Sequence, residues 1–177
     1  MAYSNYIIDF TLTPTGTIVE PVTLAEAKTY CRVTTTADDT QIELMIRSAR
    51  EAVEAATGLS LIPKGAVVWF SNFDGKFELP FGPMVTFTSL ITEAGNTLDA
   101  TGYTLFGGQF PKLQRPTYAN LKATYSVGYT SVPSDLKIAI LDQVSYDYEN
   151  RGLDSDTGIC NKTWIACQRW TRISPIL

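Results

Sequence analysis

From Thr23 onward the chain alternates between two kinds of hydrophobic spacing, one of three to four residues and one of two, and caps, glycines or prolines mark the switches. Thr23-Leu24-Ala25-Glu26 has the form of a capping box, in which the threonine hydroxyl accepts from the backbone N–H of Glu26 and that carboxylate reaches back. A short helix is predicted from Leu24 to Cys31. Asp38-Asp39-Thr40-Gln41 repeats the device, with Asp38 as N-cap and Asp39 near the positive end of the helix dipole. In the helix that follows, Ile42, Met45, Ile46, Ala49, Val53 and Ala56 fall on one side, and Gly58 ends it. The pairs Glu43/Arg47, Arg47/Glu51 and Arg50/Glu54 are spaced i,i+4 and are expected on the other side. Burying the four large members of the stripe contributes about 1.5 to 3 kcal/mol each, so this helix must pack against something.

After Leu61 the period changes. Ala66-Val67-Val68-Trp69-Phe70 and Phe77-Glu78-Leu79 read as strands, and Pro80-Phe81-Gly82-Pro83 forces a stiff turn. Met84 to Thr92 is rich in β-branched and aromatic residues, and Glu93-Ala94-Gly95-Asn96-Thr97 supplies a hairpin loop. Tyr103-Thr104-Leu105-Phe106 continues the sheet, as does the segment in which Leu121, Ala123, Tyr125 and Val127 alternate on one face; the pairing is expected to be local and antiparallel. Ser131-Val132-Pro133-Ser134 opens a third helix with two apolar faces, Leu136, Ile140, Val144 and Tyr148 on one and Ile138, Leu141 and Ser145 on the other, ending near Arg151-Gly152. Lys162 to Ile173 reads as a short helix and tail. The fold class is therefore α+β, antiparallel helices packed with a small antiparallel β-sheet or hairpin unit inserted between the second and third helices. Residues 1–21 sustain neither period and are expected to form an arm, 22–151 the core domain, and 152–177 a C-terminal tail.

Composition narrows the function classes. With 177 residues, 45% hydrophobic and 18% charged, the chain suits one folded domain with extensions. Lys+Arg 14 against Asp+Glu 18 gives −4, which offers no general attraction to phosphate. Cys31, Cys160 and Cys167 have no CxxC spacing and read as reduced structural thiols. The N-terminus lacks a basic start and no 18-residue apolar run occurs, so the protein is expected in the cytosolic phase or delivered from it by assembly, with no membrane partner.

The absence of histidine removes the Ser-His-Asp and Cys-His arrangements, the commonest metal ligand and the usual near-neutral base. No phosphate-binding loop, dinucleotide fingerprint, HExxH or EF-hand pattern is present, so no cofactor or metal is expected. Carboxylate chemistry would have to draw on Asp38/Asp39, Glu51/Glu54, Asp142, Asp147, Glu149, Asp154 and Asp156. Most of these read more simply as caps, helical ion-pair members or solvated loop groups. Trp69, Trp164 and Trp170 suit core or protein contact better than a ligand platform. Arg169-Trp170-Thr171-Arg172 suits either docking to an acidic surface or a solvated terminal helix.

The ordered series Val22-Thr23-Leu24-Ala25-Glu26-Ala27-Lys28, Asp38-Asp39 leading into Ile42 through Ala49, Glu54-Ala55-Ala56-Thr57-Gly58, Leu79-Pro80-Phe81-Gly82-Pro83, Tyr125-Ser126-Val127-Gly128-Tyr129, Val132-Pro133-Ser134-Asp135-Leu136-Lys137-Ile138-Ala139-Ile140 and Tyr148-Glu149-Asn150-Arg151 resembles the small head-tail connector proteins, also called adaptor or head-completion proteins, of long-tailed bacteriophages. The series spans residues 22–151, about three quarters of the chain. The resemblance implies a non-enzymatic virion protein, assembled in the host cytoplasm. It would form a ring, typically dodecameric, beneath the portal, joining head to tail, meeting a stopper or tail-completion protein and lining a channel through which DNA passes without sequence-specific binding. Within that picture Arg47, Arg50, Glu51, Glu54, Tyr148, Glu149 and Arg151 are expected at the subunit interface. Trp164, Arg169, Trp170, Arg172 and Ile173 are expected to dock on the portal, as a flexible end that orders on binding. The alternatives are a tail-completion or stopper protein of the neck, or an enzyme using carboxylates.

Overall fold

The computed structural model describes residues 6–73, 76–107, 109–114, 118–151 and 158–171. The elements run β1 (Tyr6–Pro14), α1 (Leu24–Tyr30), α2 (Asp39–Thr57), β2 (Lys64–Phe73), β3 (Lys76–Glu78), β4 (Met84–Thr92), β5 (Thr104–Phe106), β6 (Lys112–Gln114), β7 (Tyr118–Val127), α3 (Ser134–Glu149) and α4 (Asn161–Gln168). This is the expected α+β class. The chain divides into two compact units, Met1–Ile18 with Ile62–Thr130 and Val19–Leu61 with Ser131–Leu177.

The first unit is all β. A four-stranded antiparallel sheet has the order β1-β2-β7-β4, and a three-stranded one the order β3-β6-β5. Register pairs Ala66 with Tyr125, Val68 with Ala123 and Phe70 with Leu121, so the predicted alternation in β7 delivers one continuous apolar face. All six are buried, in one cluster with Phe77, Leu79, Leu90, Leu113 and Val127. Phe70 and Phe77 meet in a tilted arrangement at 56°, with a ring-centroid distance of 4.1 Å that is closer than the usual spacing of aromatic pairs. The buried Tyr125 hydroxyl donates to the Pro80 carbonyl at 2.7 Å, which satisfies it and ties the Pro-Phe-Gly-Pro turn to β7. Gly128 has φ +123°, and a β-carbon there would lie 2.5 Å from the Ile62 carbonyl oxygen. Conformation and close approach both demand glycine there.

Three features depart from the sequence reading. Residues 6–14, expected to be part of an arm, form the edge strand β1 on β2, with a register shift between Ile7 and Asp9. That bulge breaks the alternation a strand search relies on. The pairing is also less local than expected, because β2 pairs with β7 across all the intervening strands, and the short β6 joins β3 and β5 into a second sheet.

The second unit is helical. Helix α2 packs on α1, α3 and α4, while α3 also touches α1 and α4. Ile42, Met45, Ile46, Ala49 and Val53 of α2 are buried, as are Leu136, Ala139, Ile140 and Val144 of α3 and Thr163 and Cys167 of α4. The capping box forms: Glu26 N–H donates to Thr23 Oγ1 at 3.2 Å, and Thr23 N–H donates to Glu26 Oε2 at 2.7 Å. The Thr23 N–H, together with the Thr23 hydroxyl donating to the same oxygen at 2.8 Å, holds the Glu26 carboxyl below its usual range. Gly58 closes α2 at φ 70°, its N–H donating to Glu54 O. Asp38 stands at the N-cap of α2 without a side-chain capping bond. No helix among the described residues is long and apolar enough to cross a membrane.

Candidate functional site

The helical unit carries the residues singled out in the sequence, and the structure sorts those it describes into buried and exposed groups. Arg50 and Glu54 do not lie on a solvent face. Arg50 is 3% exposed and Glu54 9%, beside Ile46, Val53 and Thr57 on the buried arc of α2. Arg50 pairs through Nε with Glu20 at 2.8 Å, through Nη1 with Glu54 at 2.7 Å and through Nη2 with Glu51 at 3.2 Å. The other Glu54 oxygen accepts the Leu61 N–H at 2.7 Å. One guanidinium thus anchors the chain at Glu20, just before α1, while its partner carboxylate anchors the segment after α2. Glu43/Arg47 and Arg47/Glu51 do not close into ion pairs among the described residues; Glu43, Arg47 and Glu51 are exposed.

Tyr148 and Arg151 are likewise turned to internal work. The Tyr148 hydroxyl donates to Asp38 Oδ2 at 2.7 Å, and the Arg151 guanidinium lies 3.6 Å from the same oxygen and 4.0 Å from the Tyr148 ring centroid. The carboxylate that was to cap α2 instead joins its start to the end of α3. Glu149 is exposed and accepts from the Ser145 hydroxyl at 3.4 Å.

The expected flexible end is, over residues 158–171, a packed element. Thr163 and Cys167 are fully buried; Thr163 Oγ1 donates to the Ala139 carbonyl at 3.0 Å, and the Cys160 N–H donates to Gln143 Oε1 at 2.7 Å. Helix α4 completes the core, and burial pushes the Cys167 thiol up to about 11. Two exposed stripes remain on α4, Asn161/Trp164/Gln168 and Lys162/Ile165/Arg169. Trp164 and Ile165 are 44% and 58% exposed. Arg169 lies 3.8 Å from Asp135, both well exposed, and the half-buried Trp170 indole N–H has no acceptor among the described residues. Arg172, Ile173, Asp154 and Asp156 lie outside the described residues.

One cluster went unread in the sequence. Buried Asp142 of α3 accepts at Oδ1 from the Tyr30 hydroxyl at 2.5 Å and from Lys162 Nζ at 2.5 Å, joining α1, α3 and α4. Only the tertiary fold brings residues 30, 142 and 162 together, so no local spacing signals it. The hydrogen bond to Asp142, then burial, raises Tyr30 above its ordinary 10.0, and hydrogen bonds to Asp142 and Tyr30 raise Lys162 above 10.5. In both cases the folded state holds the proton more tightly than the unfolded one. That stability is present below the ordinary values and is lost as pH rises through the folded ones. Burial raises Cys31 and Cys167 from 9.0 with the same sign. Urea unfolding followed by far-UV circular dichroism is expected to give level stability from neutrality to about pH 9 and a decline above it. Asp142→Asn should shrink the part of that decline above about pH 10; an unchanged slope would show that the cluster carries none of it.

Among the described residues no three His, Cys, Asp or Glu side chains converge to hold a metal ion. Asp142 is paired with Lys162, and Asp147, which burial pushes up, accepts from Gln143 Nε2 at 2.9 Å. What the helical unit presents outward is the exposed stripes of α2 and α4.

The fold has solved counterparts. Over 93% of this chain and 96% of the other, it matches a chain in the neck of an empty gene transfer agent (GTA) particle computed with C6 symmetry, with a TM-score of 0.71 at 21% identity. A chain in the virion of the native particle gives 0.71 at 21% identity, covering 92% and 96%. One in the native neck computed with C12 symmetry gives 0.68 at 20%, covering 93% and 96%. The model of the phage gp6-like head-tail connector protein family matches residues 21–109, half of the chain, and this chain belongs to that family. No curated protein matches it.

Proposed function

We propose that the protein is a structural subunit of the neck of a long-tailed phage, one copy in a dodecameric ring that joins portal to tail and lines the DNA exit channel. The observation that carries this reading is family membership over residues 21–109, combined with a fold shared along nine tenths of the chain with neck components of phage-like particles. A closed ring needs two different faces per subunit that meet head to tail. The helical unit offers several exposed helical stripes for this. Its partners are its own copies, the portal above and a stopper or tail-completion protein below. A net charge of −4 lets DNA pass without the counterion-release attraction that makes basic proteins retain it. The work is geometric, without a catalytic step or cofactor, and its place is the virion neck after assembly in the host cytoplasm.

Arg47, Glu51 and Glu149 are the members of the expected interface set that stand exposed for a neighbour. Arg50, Glu54, Tyr148 and Arg151 support that contact by holding their own subunit in shape. Portal docking falls to Trp164 and its stripe on α4, together with Arg169, Trp170, Arg172 and Ile173. Native mass spectrometry of the full-length protein with and without the cognate portal tests the reading. A complex of twelve copies on the portal is expected. A chain that stays monomeric and ignores the portal, or that binds only the tail tube, would overturn it.

A further inference from the structure

Two exposed surfaces of the helical unit match each other. In the first, a groove of about 260 Å³ between α3 and α4 has Ile138, Ile165 and Ala166 among its lining, with Asp135, Lys162 and Arg169 around it. Ile138 is 49% and Ile165 58% exposed, so this apolar floor has no cover among the described residues. In the second, α2 carries the exposed stripe Glu43, Leu44, Arg47 and Glu51, with Leu44 52% exposed.

The charges along the two helices are complementary. On α4 two cations flank an isoleucine, Lys162 and Arg169 seven residues and so about 10 Å apart around Ile165, with Lys162 also holding Asp142 at 2.5 Å while its side chain stays 70% exposed. On α2 two carboxylates, Glu43 and Glu51, stand eight residues and so about 12 Å apart, with Leu44 beside Glu43 and Arg47 midway; Glu51 also accepts from Arg50 at 3.2 Å while staying exposed. Arg47, between the two acids and without an ion pair among the described residues, would meet Asp135, whose own contact with Arg169 is a loose 3.8 Å between exposed groups. Opposite charges set beside an apolar contact fix register and partner in a protein interface.

We infer that the α3–α4 groove of one copy receives the Glu43–Glu51 stripe of α2 from a second copy, with Leu44 seated on Ile138 and Ile165. The inference rests on the proposed ring and names the two faces that close it. Because the faces differ and both are open on one subunit, the contact is head to tail and repeats from copy to copy. It leaves the Trp164 stripe of α4 free for the portal.

Full-length Leu44→Cys and Ile165→Cys variants, both at exposed positions, test this with a short thiol–thiol cross-linker, read against the parent chain with its three native cysteines. A mixture of the two single variants is expected to give a covalent dimer that neither gives alone, and the double variant a ladder of higher oligomers. Self-linking of Leu44→Cys alone would overturn the head-to-tail contact. Rings seen by native mass spectrometry without any 44–165 link would overturn the groove assignment while the ring stands. Neither rings nor links would overturn both.

Discussion

Arg50→Ala is expected to destabilise the helical unit by about 3–5 kcal/mol, the cost of removing one partner from a buried ion pair. Arg50 sits between Glu20 and Glu54, and Glu54 in turn receives the Leu61 N–H. Without the guanidinium, a carboxylate only 9% exposed loses the cation that stands 2.7 Å from it, and the segments at Glu20 and Leu61 lose their common anchor. Arg50→Lys should recover part of the loss, because an ammonium restores the charge but not the planar fork that reaches three carboxylates. Arg47→Ala, one turn earlier on the exposed side, should change stability by no more than about 0.5 kcal/mol. Urea unfolding of the three variants decides the matter: equal midpoints for Arg50→Ala and Arg47→Ala would show that the buried network contributes nothing.

Trp164→Ala is expected to weaken binding to the portal by about 2–4 kcal/mol, a loss of roughly thirtyfold or more in affinity, with little change in the fold. The side chain is 44% exposed on α4, in a stripe with Asn161 and Gln168, whereas the residues that hold α4 in place are Thr163 and Cys167 on another face of the helix. A large aromatic standing out of a rigid helix gives contact area at small entropic cost. Truncating the chain at residue 160 would be a poorer experiment, since it would strip Thr163 and Cys167 from the core along with the tryptophan. Titration of purified portal with both forms, alongside their thermal melts, separates the two effects; unchanged affinity would remove Trp164 from the docking surface.

Where a residue's environment depends on its near neighbours in sequence, the fold was legible. The Thr23–Glu26 box, the Gly58 stop and the alternation of Leu121, Ala123, Tyr125 and Val127 all appear as read. Strand β1 was not, because the shift between Ile7 and Asp9 interrupts its period, and β6 is three residues long. Among the candidate site residues the i,i+4 pair Arg50/Glu54 forms, yet such a pair has the same spacing whether it is wet or buried. What joins it from outside the helix is Glu20, thirty positions away in the chain. Tyr148 and Arg151 meet Asp38 for a comparable reason, through packing of α3 on the start of α2. An ionic side chain with a distant partner looks free in a sequence even where the fold claims it.

The most direct measurement is electron cryomicroscopy of purified particles that contain this polypeptide, with density traced at the unique vertex. Twelve copies in a single layer between portal and tail, encircling the genome's exit path, are what the account predicts. Particles with an intact neck from which this chain is absent would contradict it.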